Sequence, residues 1–275
     1  MLPRFILAGL MVTAWLPSQA LGRGIADWHA PEPAVVADRL SAEVGLMWAQ
    51  FSTDARVDEN PDELGDVFNA EDDLGLAKSQ FIALPELTLY PGKRHLIRLN
   101  AVTFVRHAQS VLSRDILYSG DVYQANELVI SSLDLRFYGL TYGYRFVRRE
   151  RFNVAATLGV EIVDFKTNAE IPGEIIREAT GDVAPVPVVG LEGNVIFGRR
   201  WVVEARAQYT SVSTDEVDGS FLDARLAVVW QMNPHLGFGL GYRLLDLDAE
   251  SFSDDSAGIV NLKVRAPNLF MRASF

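Results

Sequence analysis

Charged side chains recur at alternate positions within the apolar segments of this 275-residue chain, and that spacing sets the first chemistry to consider. Glu43, Glu86, Glu161, Glu192, Glu204 and Asp223 stand on the polar faces of these segments, beside Arg98, Arg106, Arg206, Arg225, Arg243, Lys263 and Arg265. A strand repeats its side-chain direction every two residues, so each such segment has one apolar and one charged face. Both signs occur in comparable number, so the groups can pair rather than line a channel of one sign. In a narrow closed sheet, paired charges would fill the lumen and satisfy one another. An unpaired charge there would be costly. A narrow pore for small solutes is the alternative use of the same residues.

Hydrolytic chemistry has thinner support. His107 and Ser110, in the run HAQS, could form a base and nucleophile if a carboxylate oriented the imidazole. Asp246 and Asp248, in LLDLDAE, resemble the paired aspartates of omptin-type proteases, but no histidine lies nearby in sequence to complete the arrangement. No catalytic residue is assigned. The stretch from Ser52 to Gly75 carries nine carboxylates: Asp54, Asp58, Glu59, Asp62, Glu63, Asp66, Glu71, Asp72 and Asp73. A solvated acidic loop is the plain reading. Divalent-cation binding at a lipopolysaccharide surface is the functional one, although the spacing matches no EF-hand. No zinc spacing, phosphate loop or dinucleotide fingerprint occurs, so neither cofactor nor metal is expected.

The elements that must position these groups are alternating segments. Ten are expected, at about 40–52, 79–90, 94–106, 127–146, 151–166, 184–198, 201–212, 221–232, 236–247 and 258–275; eight or twelve also fit the boundaries. The fifth sets Phe152, Val154, Ala156, Leu158, Val160 and Ile162 against Asn153, Thr157 and Glu161. Short junctions at 91–93, 147–151, 198–200 and 233–235 alternate with longer polar stretches. That asymmetry is the signature of a membrane barrel with its short turns in the periplasm. Aromatics near segment ends, among them Tyr90, Tyr142, Tyr144, Phe146, Phe152, Phe197, Trp201, Phe238 and Phe275, would form interfacial girdles. Parity switches near 137–140 and 266–267 read as β-bulges or as strand extending beyond the membrane. Pro85 and Pro187 fall on the lipid face, where they disturb the local register.

Composition agrees. Hydrophobic residues make up 49% and mean hydropathy is +0.10, as expected when lipid-facing and lumen-facing residues alternate. No cysteine is present, so no disulfide or thiolate chemistry arises. Residues 1–20 read as a signal peptide, with Arg4 before an apolar core and Ser18-Gln19-Ala20 as the cleavage site. Its removal changes the net charge from −11 to −12, which excludes a basic nucleic-acid surface. Residues 21–38 form a periplasmic lead-in and 39–275 the barrel.

An alternating last segment ending on Phe275 resembles Gram-negative outer-membrane β-barrels, whose terminal aromatic is read by the assembly machinery. The runs YGLTYGYRF (138–146) and GFGLGYRLL (237–245) are similar to those of the OmpA-type outer-membrane barrel superfamily. The resemblance implies an all-β, closed antiparallel up-and-down transmembrane barrel in the bacterial outer membrane. Its partners would be outer-membrane lipid, lipopolysaccharide and the assembly machinery. The expected role is non-enzymatic, with a closed, charge-paired lumen and long extracellular loops; a hydrolase is the least favoured alternative. The sequence names no extracellular partner.

Overall fold

The computed structural model describes residues 39–58, 64–118, 120–170, 177–180, 184–214, 217–252 and 257–275. The expected signal peptide and lead-in lie outside the described residues. Ten long strands carry the fold: β1 Leu40–Val57, β2 Ser79–Leu89, β3 His95–Val111, β4 Leu128–Arg148, β5 Phe152–Glu170, β6 Ala184–Phe197, β7 Trp201–Ser213, β8 Val217–Asn233, β9 Leu236–Ser251 and β10 Gly258–Ser274. Each pairs antiparallel with its neighbour in the chain, and β1 closes on β10 from Ser41↔Ser274 to Val57↔Gly258. The sheet is a closed ten-stranded up-and-down barrel, as the sequence predicted. Closure gives each of the ten long strands a partner on both sides over at least part of its length.

The four tight junctions lie together at one end of the barrel. Gly198 supports one of them with φ +60°, a left-handed conformation that glycine adopts without penalty. At the other end the strands outrun expectation. β1 reaches Val57 rather than 52, β3 Val111 rather than 106, β5 Glu170 rather than 166 and β9 Ser251 rather than 247, while β8 begins at Val217 rather than 221. The expected long polar stretch at 213–220 is therefore mostly strand, paired down to Ser213↔Asp218.

Strand length explains the difference. A tilted strand crosses a bilayer in about 9–11 residues, whereas β4 has 21 and β1 has 18. Roughly half of each must stand in water, and there hydrophobicity changes sides. In β1 the outer face runs Val44, Leu46, Trp48 and then Gln50, Ser52; the inner face runs Glu43, Gly45 and then Met47, Ala49, Phe51. In β4 the inner face runs Leu135, Phe137, Gly139, Thr141 and the outer Asp134, Arg136, Tyr138, Leu140. Backbone parity is unbroken at both expected switches, 137–140 and 266–267, so neither is a bulge. The observed register shifts lie at Arg145/Val147 and Gln231/Asn233, near the tight turns.

The same inversion corrects the reading of β10. Leu262, Val264, Ala266, Asn268 and Phe270 are buried inside, while Lys263 and Arg265 are exposed outside. Lys263 and Arg265 are not lumen charges: above the bilayer the polar face is the outer one.

Pro85 and Pro187 do face outward, and each marks where a ladder stops. β2 pairs with β3 only over Glu86–Leu89, and β6 pairs with β7 only from Val189 onward. Proline has no N–H to donate, which accounts for pairing that ends beside it. Gly239 serves another purpose. A Cβ there would come within 2.1 Å of the Phe270 ring, so the missing side chain makes room for an aromatic packed flat on the inner wall.

Candidate functional site

Inward positions from nine strands converge on one ionic layer toward the tight-turn end. Glu86 of β2 is its hub: Arg98 Nε of β3 lies 3.2 Å away, Arg206 Nη1 of β7 3.0 Å and Arg225 Nη1 of β8 3.8 Å. Arg98 also pairs with Glu192 of β6, and Arg225 with Glu43 of β1. Arg243 of β9 holds Asp223 through two bonds of 2.8 and 2.9 Å. Glu161 of β5 is buried close to this pair. Every one of these residues was expected inward, and period-two alternation places them there.

Arg272 was missed. Its Nη2 donates to Glu43 Oε2 at 2.8 Å and to Glu204 Oε2 at 2.6 Å, linking β10 to β1 and β7. The signal was present, because Leu269, Met271 and Ala273 on the outer face put residue 272 on the inner one. Below this layer lies a cavity of about 120 Å³, lined among others by Thr88, Tyr90, Arg145, Asn153, Glu192 and Ser274. Tyr90 is not part of the outer girdle; it turns inward, under the Arg145 guanidinium at 4.5 Å.

Above the ionic layer the lumen is filled with hydrocarbon. Met47, Ile82, Leu84, Val102, Phe104 and Phe137 are buried in one cluster with Phe221, Leu245 and Leu262. The rings form a chain: Phe51–Phe104 at 5.3 Å, Phe104–Phe137 at 5.9 Å and Phe137–Phe221 at 5.9 Å. Phe137 is on β4 and Phe221 on β8, so this chain bridges the lumen from wall to wall.

A second, smaller polar layer caps the plug. Arg106 is buried and pairs with Glu71, and its Nη2 donates to Thr53 Oγ1 at 2.9 Å. The Thr53 N–H and hydroxyl each donate to Glu71 at 2.8 Å. Glu71 belongs to the acidic stretch, whose described part is thus not a free solvated loop but is tied into the barrel mouth. Asp58 accepts from Arg56 Nε at 2.9 Å and from the Gly65 N–H at 2.7 Å. Phe68 packs with Leu112, Ile116 and Val129 beneath these contacts. Among the described residues, no three carboxylates or histidines converge to hold a metal ion.

Asp73 anchors the stretch to Arg114 at 3.1 Å and accepts the Asn69 N–H at 2.9 Å. Burial pushes this carboxyl up, but the hydrogen bonds from Arg114 and the Asn69 backbone, with the Arg114 charge, outweigh it and hold it below the usual aspartate value. A depressed value stabilises the anchored form above the unfolded-state pKa of about 3.9. That contribution is lost as pH falls through the lower folded value. Amide exchange at 66–74, corrected for intrinsic rates, is expected to accelerate below pH ~4, and Asp73→Asn should show the faster exchange already at pH 7.

The hydrolytic candidates do not assemble. His107 is exposed outside and Ser110 faces inward, where a Gly75 Cβ would lie 3.1 Å from its Cβ. Three residues of separation put two side chains of a strand on opposite faces. Asp246 and Asp248 share the outer-face parity of Tyr242 and Leu244, opposite Lys263 and Asn261 of β10.

The lower outer surface is apolar. Leu140, Leu158, Leu191, Leu226, Leu240 and Leu269 are exposed there, with Tyr142, Tyr144, Phe146, Phe152, Phe197, Trp201, Phe238 and Phe275 toward the tight-turn end. Trp48, Phe81, Tyr138, Tyr209 and Tyr242 stand further along the strands. A closed barrel with polar lower lumen, apolar belt and aromatic girdles is a transmembrane β-barrel of the outer-membrane type.

No protein-family model matches the sequence, and no curated protein matches it. Solved structures do. The outer membrane protease OmpT from Escherichia coli is 11% identical with a TM-score of 0.54, over 88% of this chain and 98% of that one. The outer membrane protein OprG from Pseudomonas aeruginosa is 12% identical at TM-score 0.33, over 86% and 97%. The toluene transporter TodX from P. putida is 8% identical at TM-score 0.37, over 88% and 91%. The first of these likenesses shows the fold alone: that of a Gram-negative outer-membrane barrel. In barrels of that kind the short turns lie on the periplasmic side.

Proposed function

We propose that the chain is a non-conducting, non-enzymatic outer-membrane barrel whose capped outer end meets envelope or external partners. One observation carries the reading: the Phe51–Phe104–Phe137–Phe221 chain crosses the lumen above a paired ionic layer. A ten-stranded barrel is already narrower than the 16–18-stranded porins with aqueous channels, and here both polar and apolar side chains fill it. OmpT is a protease by name, but in this chain neither His107 with Ser110 nor Asp246 with Asp248 makes an inward constellation.

Outer-membrane lipid and lipopolysaccharide are the partners of the apolar belt in this reading. Phe275 is the residue offered to the assembly machinery; it is exposed, and its N–H donates to the Leu40 carbonyl at 2.8 Å. Kinship with the OmpA-type superfamily belongs to the same proposal and rests on runs 138–146 and 237–245. Proteoliposomes carrying the refolded protein should swell in small sugars no faster than empty liposomes. Swelling that scales inversely with sugar size would replace this reading with the narrow pore.

A further inference from the structure

We infer that the cavity at the periplasmic mouth is a binding site for a phosphate-type oxyanion. Arg98, Arg145, Arg206, Arg225 and Arg272 line it, against Glu86, Glu192 and Glu204. Adding Glu43, which sits behind the wall paired to Arg225 and Arg272, still leaves five guanidinium groups to four carboxylates. Arg145 supplies the excess; its guanidinium lies over the Tyr90 ring.

Unspent donors point the same way. Among the described residues the Arg145 guanidinium makes no ion pair, while Arg98, Arg206, Arg225 and Arg272 each do. Guanidinium carries donors only, so the partner it lacks must be an acceptor. Ser41, Thr88, Tyr90 and Ser274 add hydroxyls around the same space. Donors arriving from several strands suit a tetrahedral anion with acceptor oxygens on all sides, and arginine matches phosphate in geometry as well as charge. Room is sufficient: at about 30 Å³ of liquid volume per water, a cavity of about 120 Å³ has the space of about four waters.

The approach is also basic. The tight turns expose Lys93, Arg94, Arg149, Arg151 and Arg199, with Glu150 as their acidic neighbour, in a chain of net charge −11. Such a local reversal of sign raises the concentration of anions at the mouth. The phosphate can come from a soluble small molecule or from the headgroup of an inner-leaflet phospholipid; the chemistry recognised is the same.

The proposal rests on the closed-barrel reading only for the side to which the mouth opens. Titration calorimetry tests it on the whole refolded protein in a phosphate-free detergent, with sodium phosphate or short-chain phosphatidylglycerol as titrant and sodium chloride at matched ionic strength as control. Saturable one-site binding of phosphate supports a soluble source, and binding of the lipid alone supports a headgroup. Arg145→Gln should weaken either at least tenfold, and Glu192→Gln, which removes a competing anion, should tighten it severalfold. Heats equal to chloride, or binding unmoved by both substitutions, would overturn the site. Conductance is read independently, so failure of the site and failure of the closed barrel are distinguishable.

Discussion

Glu86→Ala is expected to cost about 3–5 kcal/mol of folding stability, the range for removing one partner of a buried ionic group. Three guanidinium groups, on β3, β7 and β8, lie within 3.8 Å of this carboxylate. Removing it leaves Arg206, which makes no other ion pair among the described residues, beside the guanidinium groups of Arg98 and Arg225. Like charges would then sit together in a space of low dielectric, where their repulsion is poorly screened. Glu86→Gln keeps the shape and some acceptor capacity, so its loss should be smaller. Urea midpoints for refolding into lipid vesicles measure both. A change below about 1 kcal/mol for the alanine variant would place the network with exposed ion pairs and remove it as a stabilising element.

Phe104→Ala is expected to cost about 3–5 kcal/mol by the same assay, the range for truncating a buried phenylalanine. Its ring is 2% exposed and touches Phe51 edge-on and Phe137 likewise, so its loss opens a void that neighbours on rigid strands can fill only in part. The aromatic contacts add to the area term. Because the ring is part of the bridge across the lumen, a Phe104→Ala/Phe137→Ala double variant should also remove the barrier to ions.

Much of this was legible in the sequence. All ten barrel strands were, because a period of two survives whichever face is apolar. The inward set from Glu43 to Arg243 was legible for the same reason, within the bilayer. Lys263 and Arg265 show where that reasoning stops: polar-means-inward reverses where β10 leaves the membrane, and alternation carries no sign. The aromatic plug was hidden by the same inversion. Phe51 and Phe104 share the inward parity of Glu43 and Arg98 but are apolar where charge was expected. Phe137, on the apolar face with Leu133 and Leu135, looks lipid-facing until strand length places it above the bilayer. Glu71 was illegible for a different reason. Its partner Arg106 is 35 residues away, and a carboxylate in an acidic run gives no local hint that one member is buried.

The central claim is that the lumen is closed, and single-channel recording in planar bilayers tests it most directly. The refolded wild-type protein should insert without steady conductance, and the Phe104→Ala/Phe137→Ala variant should show openings. Stable, reproducible openings in the wild type would contradict the account and make transport the function to explain.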